Sequence, residues 1–525
     1  MALFSAAPAF ADSGDLTAYV RARAADAAGD SEQAAAGYSA ALTASPGNPL
    51  VAARAYREAF SIGDLPLARR AAAVLKASGV APGDIALLDF ADAVRGKDKR
   101  TTQAAIDRIG DGPFDFLAPV LRAWVAYSNG DKEAATALGA LTGNPLAIRY
   151  ARENRALLLI AAGRIDEGLE SIHILFGAGQ GSLDLRVTAA ELLYRHGKKL
   201  EAAGLLAGED PAFVEMRAHP PKSGRTDAAF GASRLFTRLS ADLASGEPNP
   251  LSLVLPRLAI LLEPGNARAH LLLADVQIKQ DETARALTTL AEIPADSPFA
   301  AAARVSRIGA FDGEGDDAAA LAAAKLLATN GDRRDAERYA DLLMKADRYG
   351  EAATVYAEAI ARSGPDVSWS LYLQRGGALD RAGNWAEAEP LLVKAVALAP
   401  DQPVALNYLA YARVERGENL AEAQAMLEKA AKLSPGEPSI ADSLAWAYFA
   451  RGNLAKALPL LEGAAQKLPS NATINEHLGD TYWALGRRYE ARYAWRAAAV
   501  FADETEGKRI ATKLTDGPPP RVGGK

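Results

Sequence analysis

The stretch LNYLAYARVERGENLAEAQAMLEKAAKLSPGEPSIADSLAWAYFARG, residues 406–452, contains one full period of an internal repeat. Gly417 is followed by Ala423, Ala430 and Pro435, and the same order of small residues resumes at Gly452. Glycine ends a helix readily because it takes positive φ easily, alanines let two helices approach closely, and proline stops a helix. The stretch therefore predicts a hairpin of two helices that ends before the next hairpin begins.

The same markers continue on both sides of this stretch. Toward the C-terminus the turn glycines are Gly383, Gly417, Gly452 and Gly486, whose sequence numbers differ by 34, 35 and 34. In the N-terminal half the sequence numbers of successive glycines differ by 33 or 34: Gly29, Gly63, Gly96, Gly130, Gly163 and Gly197. One hairpin cannot bury its apolar face alone, so successive hairpins must stack. The period predicts an all-α superhelical solenoid of about fourteen helix-turn-helix repeats.

The pattern of residue types in the repeat resembles that of the tetratricopeptide repeat family. The family's small residue followed by an aromatic three positions later is present as Gly479 and Tyr482, and its later alanine, aromatic, alanine series as Ala491, Trp495 and Ala498. Trp495 and Trp385 fall on the second helix or its approach and are expected in the core. The dense run of charged and aromatic residues from Asn475 to Ala498 is therefore interpreted mainly as one repeat unit.

Composition excludes several classes of function. The net charge is −6 and no basic stripe is present, so a nucleic-acid partner is not expected. The chain has no cysteine, which excludes disulfides, zinc thiolates and cysteine nucleophiles. No stretch approaches 18 consecutive apolar residues, so no transmembrane segment is expected.

The first residues, MALFSAAPAFADSGD, resemble the end of a secretory signal. Ala9-Phe10-Ala11 has the A-x-A form that precedes a cleavage site, with Asp12 as the first mature residue. A basic region and most of an apolar core are missing. We interpret residues 1–11 as a truncated signal peptide remnant, which predicts a periplasmic protein; the alternative is an alanine-rich disordered start on a cytoplasmic protein.

The spacing divides the chain into blocks. Residues 12–207 form an N-terminal repeat block and 227–505 a C-terminal one. Between them, GEDPAFVEMRAHPPKSGRTD, beginning at residue 208, is out of step with the period and rich in proline, so 208–226 is expected to be an irregular junction. Residues 506–525 are expected to form a short helical extension and a disordered tail, since proline and glycine dominate the end.

No catalytic or cofactor motif stands out. None of the five histidines forms an H-x3-H or H-E-x-x-H pair, so no metal site is predicted. The glycines of FGAGQGS, residues 176–182, lie between repeats and are interpreted as turn residues rather than a phosphate loop. The sequence predicts a protein that is not an enzyme and has no cofactor. The rival from another class is a hydrolase with a site in the groove, using acids such as Asp442 and Asp480.

The resemblance implies a binding groove on the concave surface, lined by the first helix of each unit. Counting its fifth, ninth and twelfth positions gives eight candidate partner-binding residues: Asn407, Tyr411, Asp442, Trp446, Phe449, Glu476, Asp480 and Trp483. The alternative is that the aromatics fill gaps between adjacent helices. The acids would repel an acidic ligand, so a protein or extended peptide that is neutral or basic is the expected partner.

Residues from about 227 to 503 also resemble the C-terminal block of long envelope tetratricopeptide proteins of Gram-negative bacteria. Relatives with such a block include lipoprotein adaptors of a periplasmic carboxyl-terminal processing protease, but no lipobox cysteine is present here. The resemblance implies a non-catalytic scaffold, an envelope adaptor that presents a partner to a protease or an assembly complex. The alternative is a periplasmic platform for polysaccharide or envelope assembly.

Overall fold

The computed structural model describes residues 13–221, 224–244, 246 and 249–518. The chain folds as two compact units, Met1–Ala320 and Leu321–Lys525. The signal peptide remnant expected at residues 1–11 and the tail from residue 519 lie outside the described residues. Regular structure in the described part of the chain is helical, without a strand, which confirms the all-α prediction.

Within its described residues the first unit holds eighteen α-helices and a 3-10 turn at Asp115–Leu117. The first twelve are α1 (Ser13–Ala27), α2 (Ser31–Ala44), α3 (Pro49–Ile62), α4 (Leu65–Ala77), α5 (Ile85–Gly96), α6 (Lys99–Gly110), α7 (Ala118–Ser128), α8 (Ala134–Gly139), α9 (Pro145–Ala161), α10 (Ile165–Gly177), α11 (Leu183–Arg195) and α12 (Lys199–Leu205). The next six are α13 (Pro211–Ala218), α14 (Ala228–Leu243), α15 (Pro250–Leu262), α16 (Ala267–Lys279), α17 (Thr283–Ala291) and α18 (Ala300–Gly313).

Helix α19 (Asp317–Asn330) crosses the division, and eleven helices follow it as far as residue 518, where the described part of the chain ends. They are α20 (Arg333–Lys345), α21 (Tyr349–Arg362), α22 (Trp369–Arg381), α23 (Trp385–Leu398), α24 (Pro403–Arg416), α25 (Leu420–Leu433), α26 (Pro438–Ala450), α27 (Leu454–Lys467), α28 (Ala472–Ala484), α29 (Arg488–Phe501) and α30 (Glu504–Asp516).

Most helices pair with a neighbour in sequence, as a repeat of helical hairpins requires. Eight hairpins lie in the described part of the first unit, from α1/α2 to α16/α17 without α13, and five lie in the second, from α20/α21 to α28/α29. Helices α18 and α19 are the remaining consecutive pair. The predicted number of about fourteen repeats is confirmed.

The turns between the two helices of a hairpin explain the period. Gly417 ends α24 at φ 71°, and its N–H donates to the carbonyl of Val414. In one turn the expected glycine is displaced: Gly96 is the last residue of α5, and Lys97 takes the left-handed conformation at φ 57°. Asp281 and Asp347 take the same conformation in turns that have no glycine. Aspartate tolerates this region better than most residues, so a search for glycine alone misses these turns.

One hairpin of the first unit packs against the inner side of the array that the preceding hairpins form. Helices α14 and α15, hereafter the inner hairpin, contact the first helices of the preceding hairpins: α3, α5, α7, α9 and α11. The first helices of a repeat array line its inner side, so the inner hairpin occupies that side of the first unit.

Aromatic residues form the centre of this contact. Trp124 on α7 is completely buried and lies edge-on to Phe230 of α14, with 5.9 Å between ring centroids. A Cβ at Gly231 would lie 2.0 Å from Cδ2 of Trp124, so only glycine lets α14 approach the indole this closely. Phe90 and Phe236 form a second edge-to-face pair at 6.5 Å.

The hairpins of the second unit follow one another more regularly than those of the first. Its first helices contact one another from repeat to repeat, α22 with α24, α24 with α26 and α26 with α28, and so line one side of the array. We call this side the concave face. Ala423, Ala457 and Ala491 are fully buried where the two helices of a hairpin meet, as the repeat predicts.

The compact units divide at Ala320/Leu321, because the inner hairpin packs onto the N-terminal array. The domain limits expected from the sequence stay a prediction, including the junction at 208–226. Part of that segment is helical, since α13 buries Phe213 and Met216. None of the described helices combines the length and apolarity that a membrane crossing requires.

Candidate functional site: the concave face of the second unit

The eight predicted groove residues lie on three consecutive first helices of the second unit. Asn407 and Tyr411 are on α24, Asp442, Trp446 and Phe449 on α26, and Glu476, Asp480 and Trp483 on α28. Contacts between these helices bring the eight residues to one face. Whether they bind a partner stays a prediction, but the contacts show which are open to one.

A histidine lies at the centre of the face. His477 is buried, its Nδ1 lies 2.9 Å from Oδ1 of Asp442, and its ring stacks on Trp446 with 3.9 Å between centroids. Trp446 stacks on Phe449 in turn, at 4.5 Å, and its Nε1 donates to Glu415. These contacts connect α24, α26 and α28, so Trp446 has a structural role. The sequence alone could not distinguish this role from binding a partner.

The histidine is held near its acidic neighbours. Burial acts to lower the pKa of His477, but the charge of Asp442 and its hydrogen bond, with Glu415 and Asp480 nearby, raise the pKa above its ordinary value of 6.5. The raised pKa favours imidazolium, which donates to Asp442. Asp442 is thus engaged within the chain.

Helix α30 covers the C-terminal end of the concave face. Arg509 donates to both carboxylate oxygens of Glu476, at 2.8 and 2.6 Å, and Nζ of Lys513 lies 2.6 Å from Glu476 and 2.6 Å from Asp480. Trp495 Nε1 also donates to Asp480, at 3.0 Å. Both acids therefore hold a helix of their own chain, which opposes the expectation that they face a ligand.

These ion pairs act differently on the two acids. Burial acts to raise the pKa of Glu476, but the hydrogen bonds from Arg509 and Lys513 lower it below the usual value. Burial raises the pKa of Asp480 and outweighs the charge of Lys513. Since Asp442, Glu476 and Asp480 are all paired within the chain, they supply no free charge, and the predicted preference for a neutral or basic ligand is not supported.

Trp483 and Trp385 also make contacts within their own chain. Trp483 is half-buried, with the guanidinium of Arg488 3.6 Å from its ring centroid and Trp495 at 5.3 Å. Trp385 was expected in the core but is half-buried at the start of α23, because its Nε1 donates to Glu418 and Arg416 covers its ring. Trp495, in contrast, is fully buried as expected.

The open part of the concave face lies on α24. Val404 is 60% exposed, and Asn407 and Tyr411 are half-buried. The amide oxygen of Asn407 is buried without a hydrogen-bond partner in the described residues. A buried acceptor of this kind costs about 1–3 kcal/mol until a donor reaches it. This end of the face can accept a hydrogen bond from a ligand's N–H.

The contribution of α30 was missed in the sequence although a signal was present. Arg509 follows Glu476, and Lys513 follows Asp480, at a sequence separation of 33 in each case, which is close to the repeat period. Helix α30 therefore occupies the place of the first helix of a further repeat, and its cations meet the acids one repeat earlier.

The first unit holds a separate cavity of about 560 Å³, bordered by α11, α13, α14 and the loops around residues 265 and 297. Arg268 donates to Asp184 and Arg234 to Glu191, both at 3.0 Å, and Phe299, Pro220 and Met216 supply apolar walls. The charged groups are thus paired across the cavity wall. This cavity could not be predicted from the sequence, since its walls come from segments far apart in the chain.

Comparison with protein families agrees with the fold. Residues 258–307 match one tetratricopeptide repeat model, and residues 338–403, 373–438 and 443–506 match another. The chain therefore contains tetratricopeptide repeats. Proteins built from such repeats are in general scaffolds for protein–protein interaction, and the repeats suggest that this chain is of that class.

Several solved structures align with part of the chain. A thermophilic TPR protein of Thermus thermophilus is 22% identical, covers 35% of this chain and 98% of its own, and has a TM-score of 0.31. The C-terminal part of a TPR repeat-containing protein from Cytophaga hutchinsonii is 19% identical, covers 45% and 97%, and has a TM-score of 0.33. MamA from Desulfovibrio magneticus RS-1 is 17% identical, covers 32% and 94%, and has a TM-score of 0.28. The comparison with curated proteins found no match.

Proposed function

We propose that this protein is an envelope adaptor whose second unit holds an extended segment of a partner protein on the concave face. The partner is presented to a periplasmic carboxyl-terminal processing protease or to an assembly complex. The resemblance of residues 227–503 to envelope tetratricopeptide proteins supports the adaptor role, and the A-x-A series at residues 9–11 supports a periplasmic location.

The observation that carries the binding mode is the amide oxygen of Asn407, which is buried beside exposed Val404 and has no hydrogen-bond partner among the residues that the structure describes. The backbone of an extended segment offers N–H donors at regular intervals, so one of them can satisfy this oxygen. Tyr411 lies four residues further along α24, on the same face of the helix, and supplies apolar surface for the segment's side chains.

The test uses the purified protease of the same organism and measures two quantities: its affinity for this protein and the rate at which it degrades a protein substrate. Val404→Glu and Asn407→Ala alter the open end of the concave face. Val393→Glu is the matched control, because Val393 is 42% exposed on α23, the second helix of the preceding hairpin.

The proposal predicts that the wild type and Val393→Glu accelerate degradation equally, and that Val404→Glu and Asn407→Ala lose the acceleration with unchanged helical content. Equal activity of all variants would exclude the concave face. Fractionation and N-terminal sequencing of the native protein test the location; a cytoplasmic protein that retains Met1 would refute it.

A further inference from the structure

The outward face of α29 is unlike the rest of the described surface. Among the large hydrophobic side chains that are exposed there, three are aromatic, and all three belong to α29: Tyr489, Tyr493 and Phe501, at 81%, 70% and 53% exposure. Tyr489 and Tyr493 are four residues apart and therefore lie next to each other on the helix surface. Exposed aromatic groups of this kind are enriched where proteins bind other proteins.

A row of cations runs beside the tyrosines. Arg488, Arg492 and Arg496 are spaced four residues apart, and all three are exposed. The only acid of α29, Glu490, accepts a hydrogen bond from Arg487 at 3.0 Å. Arg488 is held over Trp483, so part of the row is fixed in place. The face is thus locally basic on a chain whose net charge is −6.

The other repeats provide an internal reference for this face. When the hairpins are aligned on Ala388, Ala423, Ala457 and Ala491, the positions equivalent to Tyr489 are alanines: Ala386, Ala421 and Ala455. The positions equivalent to Tyr493 are Pro390, Ala425 and Pro459, and those equivalent to Arg496 are Val393, Glu428 and Glu462. The fold of the repeat therefore requires neither the aromatic residues nor the positive charge.

Exposure of the tyrosines is also not caused by their place near the end of the array. The equivalent residues Ala386, Ala421 and Ala455 are exposed in hairpins that have neighbours on both sides. The buried side of α29, with Ala491, Trp495 and Ala498 fully enclosed, belongs to the repeat core. The outward side can accordingly serve an interaction without disturbing the hairpin.

We infer that the outward face of α29, defined by Tyr489, Tyr493 and Arg488, Arg492 and Arg496, docks an acidic segment of a partner protein. The arginines would pair with carboxylates, and the tyrosine rings would cover the apolar side chains between them. This site does not depend on the concave face, which lies on the first helices of the repeats.

A protein segment fits this face better than a membrane does. An interfacial helix inserts a continuous apolar side into the lipid, but the apolar side of α29 is packed inside the repeat. Outside, the rings and guanidinium groups lie side by side, and Val500 is the one large aliphatic side chain of α29 that is exposed. A shallow, charged and aromatic face matches the pattern of a protein docking site.

The test measures fluorescence anisotropy of a fluorescein-labelled synthetic peptide made of glutamate and leucine, with the corresponding lysine and leucine peptide as the charge control. The variant Tyr489→Ala, Tyr493→Ala, Arg496→Glu introduces residues that other hairpins carry at these positions, so the fold should be retained; circular dichroism checks this. Val404→Glu on the concave face is the second control.

We expect the wild type and Val404→Glu to bind the acidic peptide, less tightly at high salt, and the triple variant to bind it about tenfold more weakly or worse. No binding by the wild type, or equal binding by the triple variant, would overturn the inference. Two further results would also overturn it. The wild type could bind phosphatidylserine vesicles but not the peptide, which would assign the face to a membrane. It could also form a dimer in sedimentation that the triple variant does not form, which would assign the face to a second copy of the chain. Failure of the concave-face test leaves these outcomes unaffected.

Discussion

Two buried tryptophans, one in each unit, make the same kind of contact with different parts of the chain. Trp124 and Trp495 are both fully buried, and both rings touch a glycine, Gly231 or Gly479, where a Cβ would lie within 2.3 Å. Each Nε1 donates to a buried polar side chain, at 2.9 Å for Trp124 and 3.0 Å for Trp495.

The difference lies in the distance along the chain. Gly479 belongs to the same hairpin as Trp495, whereas Gly231 lies on the inner hairpin, far from Trp124 in the sequence. The same packing device therefore closes a repeat in the second unit and fills the inner side of an array in the first. It follows that the concave face of the second unit is the better candidate for binding, because the corresponding side of the first unit is occupied by its own chain.

The largest expected effect separates these two roles. Trp124→Ala and Trp495→Ala should each lower the free energy of unfolding by about 3–5 kcal/mol, since both remove a fully buried indole. Hydrogen exchange should differ: Trp124→Ala should expose amides of α14 and α15, and Trp495→Ala only those of α28 to α30. If Trp124→Ala affected α7 and α8 alone, the inner hairpin would not depend on this contact.

The next largest loss of stability is expected for Lys513→Met. Breaking this buried ion pair leaves Glu476 and Asp480 with less compensation, at a cost of about 3 kcal/mol to the second unit. Lys508→Met is the control, since Lys508 is paired only with exposed Glu504 and should change stability by about 0.5 kcal/mol or less. Chemical denaturation measures both; equal effects would mean that α30 is not held by Lys513.

Gly231→Ala tests the close approach of the inner hairpin. The added Cβ meets the ring of Trp124, so we expect a loss of about 2 kcal/mol. Gly309→Ala, at an open position of α18 in the same unit, should instead leave stability unchanged or raise it by about 0.5–1 kcal/mol. Thermal unfolding of both variants shows the difference, and a stable Gly231→Ala protein would mean that α14 can shift without loss.

The smallest expected effect is on how the stability of the second unit depends on pH. The raised pKa of His477 means that its contribution to stability is complete below its ordinary value of 6.5 and is lost as pH rises through the raised value. The stability advantage of the wild type over His477→Gln should therefore decline as the pH rises through the raised pKa. The same comparison in an Asp442→Asn background should show a smaller decline; an unchanged decline would assign it to another group.

The hairpins could be predicted from the sequence because their determinants are local. Gly417 ends one helix and Pro435 separates one hairpin from the next within a few residues of the chain. The same search misses the turns in which an aspartate takes the glycine conformation, as Asp281 and Asp347 do. Local chemistry therefore determines the period, and substitutions at the turns obscure it.

The occupied inner side could not be predicted in this way. Contacts such as Trp124 with Gly231 join residues with no fixed spacing, and the period contains no information about them. The binding role of the eight groove residues stays a prediction, and the repeat pattern could not tell which of their acids are paired within the chain. Only the spacing of Arg509 and Lys513 from Glu476 and Asp480 contained that information.

The inner hairpin also has a consequence during synthesis. Phe90 packs against Phe236, which the ribosome adds about 150 residues later, and at about 5–20 residues per second this interval lasts about 7–30 s. During that time the growing N-terminal array presents an unfilled apolar side to chaperones, proteases and other nascent chains. The second unit has no comparable interval, since each hairpin packs on the one made just before it. The first unit should therefore depend on chaperones more strongly than the second.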